Sequence, residues 1–238
     1  MCTLTYLPDG LGGFVLTTNR DESPLRPTDP PALHEIEGKT LLFPQDRMAG
    51  GTWIAASTTL RVVCLLNGAF ERHLPGKYGK SRGLVLLESF GFHSLEEFAE
   101  RNVLDGVEPF TLVWVEQLGA GSRLGEFRWD GSVKHLKPID PVMPHIWSSA
   151  QLYRPEIIAM RNQWFAEFMA VQGTNAAAHI HEFHRFGGHG DVYNDLQMNR
   201  GLVRTVSTTS VRTSELGLEM SYQDLVSGQN SLRVIVGG

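Results

Sequence analysis

The second residue is a cysteine, and aminopeptidases that trim an initiator methionine act when residue 2 is small. Once Met1 is removed, Cys2 carries both a thiol and a free α-amine. An α-amine titrates ordinarily near ~7.7–8.0 and a thiol near ~8.5, so both change charge close to neutral pH. The amine can take the proton of the thiol, directly or through water, and return it to a leaving amine. One residue then serves as nucleophile and base, as N-terminal threonine nucleophiles do.

A second group of chemically able residues is the run Asn19-Arg20-Asp21-Glu22. A guanidinium near Cys2 favours thiolate over thiol. An aspartate can accept from an ammonium terminus and hold it in place. These two roles make Arg20 and Asp21 candidates.

The elements that must position these groups begin with a hairpin. Cys2 to Leu7 and Phe14 to Thr18 are β-prone runs, and the Pro8-Asp9-Gly10 turn cluster with Gly12-Gly13 separates them. The tetrad is thus expected at the end of the strand that pairs with the Cys2 strand, where a sheet fixes side chains in place. Pro24, Pro27, Pro30 and Pro31 predict an irregular loop. Further strands are predicted at Leu41–Phe43, Thr52–Ser57 and Arg61–Leu66, then helices at Ser81–Ser89 and Ser94–Glu100, the latter with Ser94 and Glu97 as a capping box. A β-meander follows over Phe110–Glu116, Leu124–Trp129 and Ser132–Leu136, with Asp130-Gly131 as a hairpin turn. Pro155–Val171 is amphipathic, with Ile157, Ile158, Trp164, Phe165 and Phe168 at helical spacing, and Asn175–Phe186 is a further helix. Strands at Val203–Ser210, Leu216–Ser221 and Leu232–Val236 end the chain. Strands in runs with segregated helices give α+β order, and residues 1–238 are expected to form one domain.

Composition narrows the partners. The formal charge of −5 and the absence of clustered Lys and Arg exclude a nucleic-acid footprint. No apolar run reaches the ~18 residues of a membrane span, and no basic, then apolar leader is present, so a cytoplasmic location is expected. Two cysteines are too few for a disulfide scaffold, and Cys64, inside an apolar strand, is expected to be a core thiol. His179, His181, His184 and His189 do not have zincin spacing.

Met1-Cys2-Thr3 followed by Asn19-Arg20-Asp21-Glu22 resembles the NRDE family, also called the transport and Golgi organisation protein 2 family. Gly50-Gly51-Thr52-Trp53-Ile54, Leu65-Leu66-Asn67 and Ser81-Arg82-Gly83 are similar to further segments of that family, mostly within the first ~90 residues. The family in turn resembles cysteine N-terminal-nucleophile hydrolases, including choloylglycine hydrolases and penicillin V acylases. The resemblance implies a four-layer αββα sandwich and a site of Cys2, Arg20, Asp21, Asn67 and a late arginine, for which Arg204 is the candidate. Asn67 would donate to the oxyanion of a tetrahedral intermediate. The acylases place their arginine three residues before the aspartate, a slot held here by Thr18. Where a Ser-Asn pair is expected, this chain has Ser148-Ser149, so Ser149 would contribute one hydrogen bond from a shorter side chain.

Two functions follow. One is hydrolysis of a small linear amide, or acyl transfer from it, by Cys2 after loss of Met1, with no metal or organic cofactor. The other is non-catalytic binding of a hydrophobic ligand such as lipid or haem, or of a protein partner. The sequence says nothing of oligomeric state.

Overall fold

The computed structural model describes residues 3–10, 12–74, 76, 78–119 and 121–238. The first six strands are β1 (Thr3–Pro8), β2 (Phe14–Glu22), β3 (Thr28–Ile36), β4 (Lys39–Asp46), β5 (Ile54–Ser57) and β6 (Arg61–Asn67). Helices α1 (Arg82–Ser89) and α2 (Leu95–Arg101) follow, then strands β7 (Phe110–Leu118), β8 (Gly121–Trp129), β9 (Lys134–Ile139) and β10 (His145–Ser148). Helices α3 (Pro155–Gln172) and α4 (Ala176–Phe186) precede β11 (Arg204–Ser214), β12 (Gly217–Asp224) and β13 (Asn230–Val236).

Among the described residues, these strands form two antiparallel sheets. One has the order β10-β1-β2-β11-β12-β13 and the other β3-β4-β5-β6-β7-β8-β9. Alternation along each strand decides what each face buries. Leu4, Tyr6, Phe14 and Leu16 point to the facing sheet and meet Leu42, Val62 and Val113. Leu7 and Val15 point the other way, onto Trp164, Phe165, Ile180 and Phe183 of α3 and α4. On the second sheet, Phe43, Trp114 and Phe127 pack against Val85, Leu86 and Phe98 of α1 and α2. The layers therefore run helix, sheet, sheet, helix. Each fully buried Leu or Phe in these contacts contributes roughly 1.5–3 kcal/mol relative to an exposed one.

The tetrad closes β2, as expected, with Asn19 opposite Thr3 of β1 and all four residues opposite β11. Two local details differ from expectation. Pro30 and Pro31 lie inside β3, because β3 is an edge strand whose ladder shifts register between Asp29 and Ala32. A proline at an edge or bulge needs no ladder hydrogen bond. The four-residue β10, pairing Thr3 with Ser148, was not anticipated. The Ser94 side chain accepts from the Glu97 N–H at 3.2 Å, while Glu97 accepts from the N–H of His93 at 2.7 Å, one residue outside the box.

The glycines of two similarity segments meet each other. A Cβ on Gly51 would lie 2.5 Å from the Gly83 carbonyl carbon, and one on Gly83 would lie 2.7 Å from the Thr52 carbonyl oxygen. Only the missing side chains let α1 start against the β4–β5 connection, which is what brings Ser81 and Arg82 to the end of β6. Helix propensity alone favours alanine over glycine by about 1 kcal/mol. Overpacking against rigid main chain costs about 1–3 kcal/mol. Gly83→Ala is therefore expected to lower the thermal midpoint by several degrees rather than raise it, as calorimetry would show.

Candidate functional site

Met1 and Cys2, and with them the expected nucleophile, lie outside the described residues. The other candidates are described, and strand alternation divides the tetrad between two faces of β2.

Arg20 points between the sheets and is almost fully buried. Its Nη2 donates to Asp46 Oδ2 at 2.6 Å and its Nη1 to Thr28 Oγ1 at 3.0 Å, while the guanidinium lies 4.5 Å from the Trp53 ring centroid. Burial lowers its pKa, and Asp46 partly restores it. Asp46 also accepts from Arg26 Nε at 2.6 Å and from the N–H groups of Met48 and Ala49, both at 3.0 Å. Burial raises the Asp46 pKa, but the Ala49 N–H and the two arginines outweigh it and hold the carboxyl below the usual range. Glu22 accepts from the Ser23 N–H at 2.8 Å and pairs with Arg26 at 3.4 Å.

Asn19 and Asp21 point to the helical side. Asp21 accepts from the hydroxyls of Tyr153 and Thr205, each at 2.6 Å. The Asn19 amide donates to the carbonyl oxygens of His184 at 3.0 Å and Leu196 at 2.8 Å. Its Oδ1 therefore faces His184 Nδ1 at 3.1 Å, which must be the protonated ring nitrogen. The ring Nε2 then accepts from the Thr5 hydroxyl at 2.8 Å. His184 is a neutral structural imidazole: burial first, then His181 and Arg161, push its pKa down to about 3.

Asn67 ends β6. Its side chain makes no hydrogen bond to any described residue, and it lines a polar cavity of about 90 Å³ with Arg20, Glu22, Asp46, Trp53 and Arg82. Ser149 is buried next to it, and its hydroxyl donates to the Asn67 carbonyl oxygen at 2.7 Å. The single proton of that hydroxyl is thus directed at the backbone that carries Asn67. Arg204 stands opposite Glu22 in the β2–β11 ladder, and its buried Nε has no hydrogen-bond partner among the described residues. Arg20 and Asn67 share one cavity, Arg204 is the register partner of Glu22 at the same end of β2, and Asp21 faces away from Arg20. A larger groove of about 730 Å³, lined by His181, Tyr222 and Leu232, contains none of the candidates. Arg82 is held by Glu108 at 3.0 Å, and burial lowers its pKa before that carboxylate partly restores it.

Sequence reasoning missed Asp46, Tyr153, Thr205 and His184 as partners of the tetrad. Each meets its partner across 26 residues or more, and no local spacing announces such contacts.

The family model for Transport and Golgi organisation 2 matches residues 1–200. Among solved structures, a variant of conjugated bile acid hydrolase from Clostridium perfringens is similar, with a TM-score of 0.64 at 12% identity, covering 98% of this chain and 92% of that one. A mutant of the same hydrolase gives a TM-score of 0.58 at 10% identity, with 99% and 92% covered. No curated protein sequence matches. The architecture is therefore that of the N-terminal-nucleophile hydrolases, an αββα sandwich. The chain belongs to the Transport and Golgi organisation 2 family. No helix of the described residues is long and apolar enough to cross a membrane.

The depressed pKa of His184 has a definite sign for stability. Below its ordinary value of 6.5, the unfolded chain takes up a proton that the folded chain refuses until about pH 3. The stability tied to neutral His184 is complete above about pH 6.5 and is lost as pH falls toward about 3. His184→Gln is expected to flatten the acid side of the stability profile by up to about 1.4 kcal/mol per pH unit. Urea unfolding at a series of pH values between these limits measures it.

Proposed function

We propose that this protein is a cysteine N-terminal-nucleophile hydrolase or acyltransferase acting on a small linear amide, with residues 1–238 working as one domain. Removal of Met1 frees the Cys2 amine. The thiol attacks the amide carbonyl, and the α-amine takes the thiol proton and returns it to the leaving amine. Asp21, itself fixed by Tyr153 and Thr205, orients that amine. Arg20 and Arg204 supply positive potential, that of Arg20 moderated by Asp46. Asn67 donates to the oxyanion, and Ser149 positions Asn67 through its carbonyl rather than donating itself. A reducing, cytoplasmic setting suits a free thiol of this kind.

The observation that carries this proposal is Asn67. Its side-chain amide forms no hydrogen bond to any described residue and lines a polar cavity beside a buried arginine, which suits a donor that serves an entering group. A donor aimed at developing oxyanion charge is worth about 2.7–4 kcal/mol. One feature favours the second reading, binding of a hydrophobic ligand. A groove of about 570 Å³ lined by Tyr6, Leu7, Val142 and Met169 opens at the far end of β1.

The experiment is the intact mass of the purified protein before and after brief iodoacetamide at neutral pH. The expected result is a chain without Met1 and one fast adduct, mapped to Cys2. Cys64 serves as the internal control, since burial pushes its thiol up to about 12. Retained Met1 with no fast thiol would overturn the hydrolase proposal. With an amide substrate in hand, Asn67→Ala is expected to leave Cys2 alkylation fast while lowering turnover by about 100-fold or more.

A further inference from the structure

The outermost strand of a sheet carries unpaired N–H and C=O groups, and proteins blunt such edges with proline, lysine, bulges or shortness. Each of the two sheets has two edges, and three of these are blunted. β3 holds Pro30 and Pro31 at a register shift. β9 holds Lys134, Lys137 and Pro138. β10 is only four residues long. β13 has none of these devices. It contains no proline, and its seven residues pair with β12 without a shift.

The bonds to β12 show which backbone groups of β13 are free. The Gly237 N–H donates to the Leu216 carbonyl at 3.1 Å, and the Asp224 N–H to the Gln229 carbonyl at 2.8 Å, one pair beyond each end of the ladder. Hydrogen-bonded pairs alternate along an antiparallel ladder, so Ser231, Arg233 and Ile235 bond β12. Asn230, Leu232, Val234 and Val236 therefore direct their N–H and C=O groups outward. Among the described residues only the Leu232 carbonyl is engaged, by Nη1 of the adjacent Arg233 at 2.9 Å. The side chains of Leu232, Val234 and Val236 share the outer face of the sheet, beyond the helices packed on β1 and β2. They are 54%, 38% and 61% exposed, against 2% for Ile235 on the inner face.

We propose that β13 pairs antiparallel with β13 of a second copy about a two-fold axis at Val234, joining the two six-stranded sheets edge to edge. Such a contact is isologous, as in most homodimers. The side chains select the register. With the axis at Val234, Leu232 stands opposite Val236 of the second copy and Val234 opposite its own counterpart, an aliphatic row on one face. Arg233, the one charge on the strand, stands opposite Ile235. An axis at Arg233 would set two guanidinium groups opposite each other, and like charges so placed are destabilising. An axis at Leu232 would set Val234 against Asn230 and leave Val236 outside the pairing. The inference does not depend on the hydrolase proposal.

The test is sedimentation equilibrium of the 238-residue chain beside Val234→Pro and Val234→Lys. The wild type is expected to have the mass of two chains at tens of micromolar. Proline removes an N–H that β12 does not use, and lysine sets like charges opposite each other at the axis. Both variants are expected to keep the wild-type circular dichroism and to sediment as one chain. A wild type with the mass of one chain overturns the proposal and leaves the edge to a strand of another protein. Dimers that persist in every variant that folds also overturn it. Mild oxidation of Val234→Cys and Asn230→Cys reads the register even if neither of the first two variants folds. Cα atoms of a hydrogen-bonded pair are about 5.5 Å apart, within disulfide reach. Asn230 would lie roughly 27 Å from its own counterpart at ~3.4 Å per residue. A disulfide-linked dimer above the wild-type background is expected from Val234→Cys and not from Asn230→Cys. Equal linkage in the two overturns the proposal.

Discussion

The rest of this structure hangs on the ion pair between Arg20 and Asp46. Arg20 belongs to the first sheet and Asp46 ends β4 of the second, so the 2.6 Å contact ties the two sheets together. An ion pair this dry persists only when its remaining hydrogen-bonding capacity is met. Thr28 and the face of Trp53 satisfy Arg20, while Arg26 and the N–H groups of Met48 and Ala49 satisfy Asp46. The turn after β4 and the return from β2 to β3 are both built from these contacts. With the sheets fixed at that end, Arg20 and Asn67, which come from different sheets, stand around one cavity.

The tetrad is four residues in a row because a strand sends neighbours to opposite faces. Asn19 and Asp21 bind the helical layer and the segment leading to β11, whereas Arg20 and Glu22 bind the facing sheet and its connections. Four adjacent side chains thereby reach both layers that flank β2. The same alternation puts the Asp21 carboxylate and the Arg20 guanidinium on opposite faces of β2.

Most elements were legible in the sequence because period and punctuation are local properties. Pro155 begins α3, Ser94 caps α2, and the alternation of Leu4 and Tyr6 reports the buried face of β1. The failures share a cause. Pro30 and Pro31 read as strand-breaking because the edge position that tolerates them is a tertiary fact. The strand over His145–Ser148 is four residues long and gains its identity from pairing with β1, some 140 residues away in sequence. In the same way Arg20 and Asp21 stand out by type, while Asp46, Tyr153 and Thr205, which hold them, look like ordinary residues until the chain folds.

The contact between Gly51 and Gly83 has an evolutionary consequence. An ordinary tight spot in a core can be relieved by trimming the neighbouring side chain, so two positions drift together through compensating changes. Here each missing Cβ faces the main chain of the other segment, and main chain cannot be trimmed. No second substitution makes room for the first. The two glycines form a dead end for sequence drift, and any lineage that keeps α1 seated at the end of β6 has to keep both.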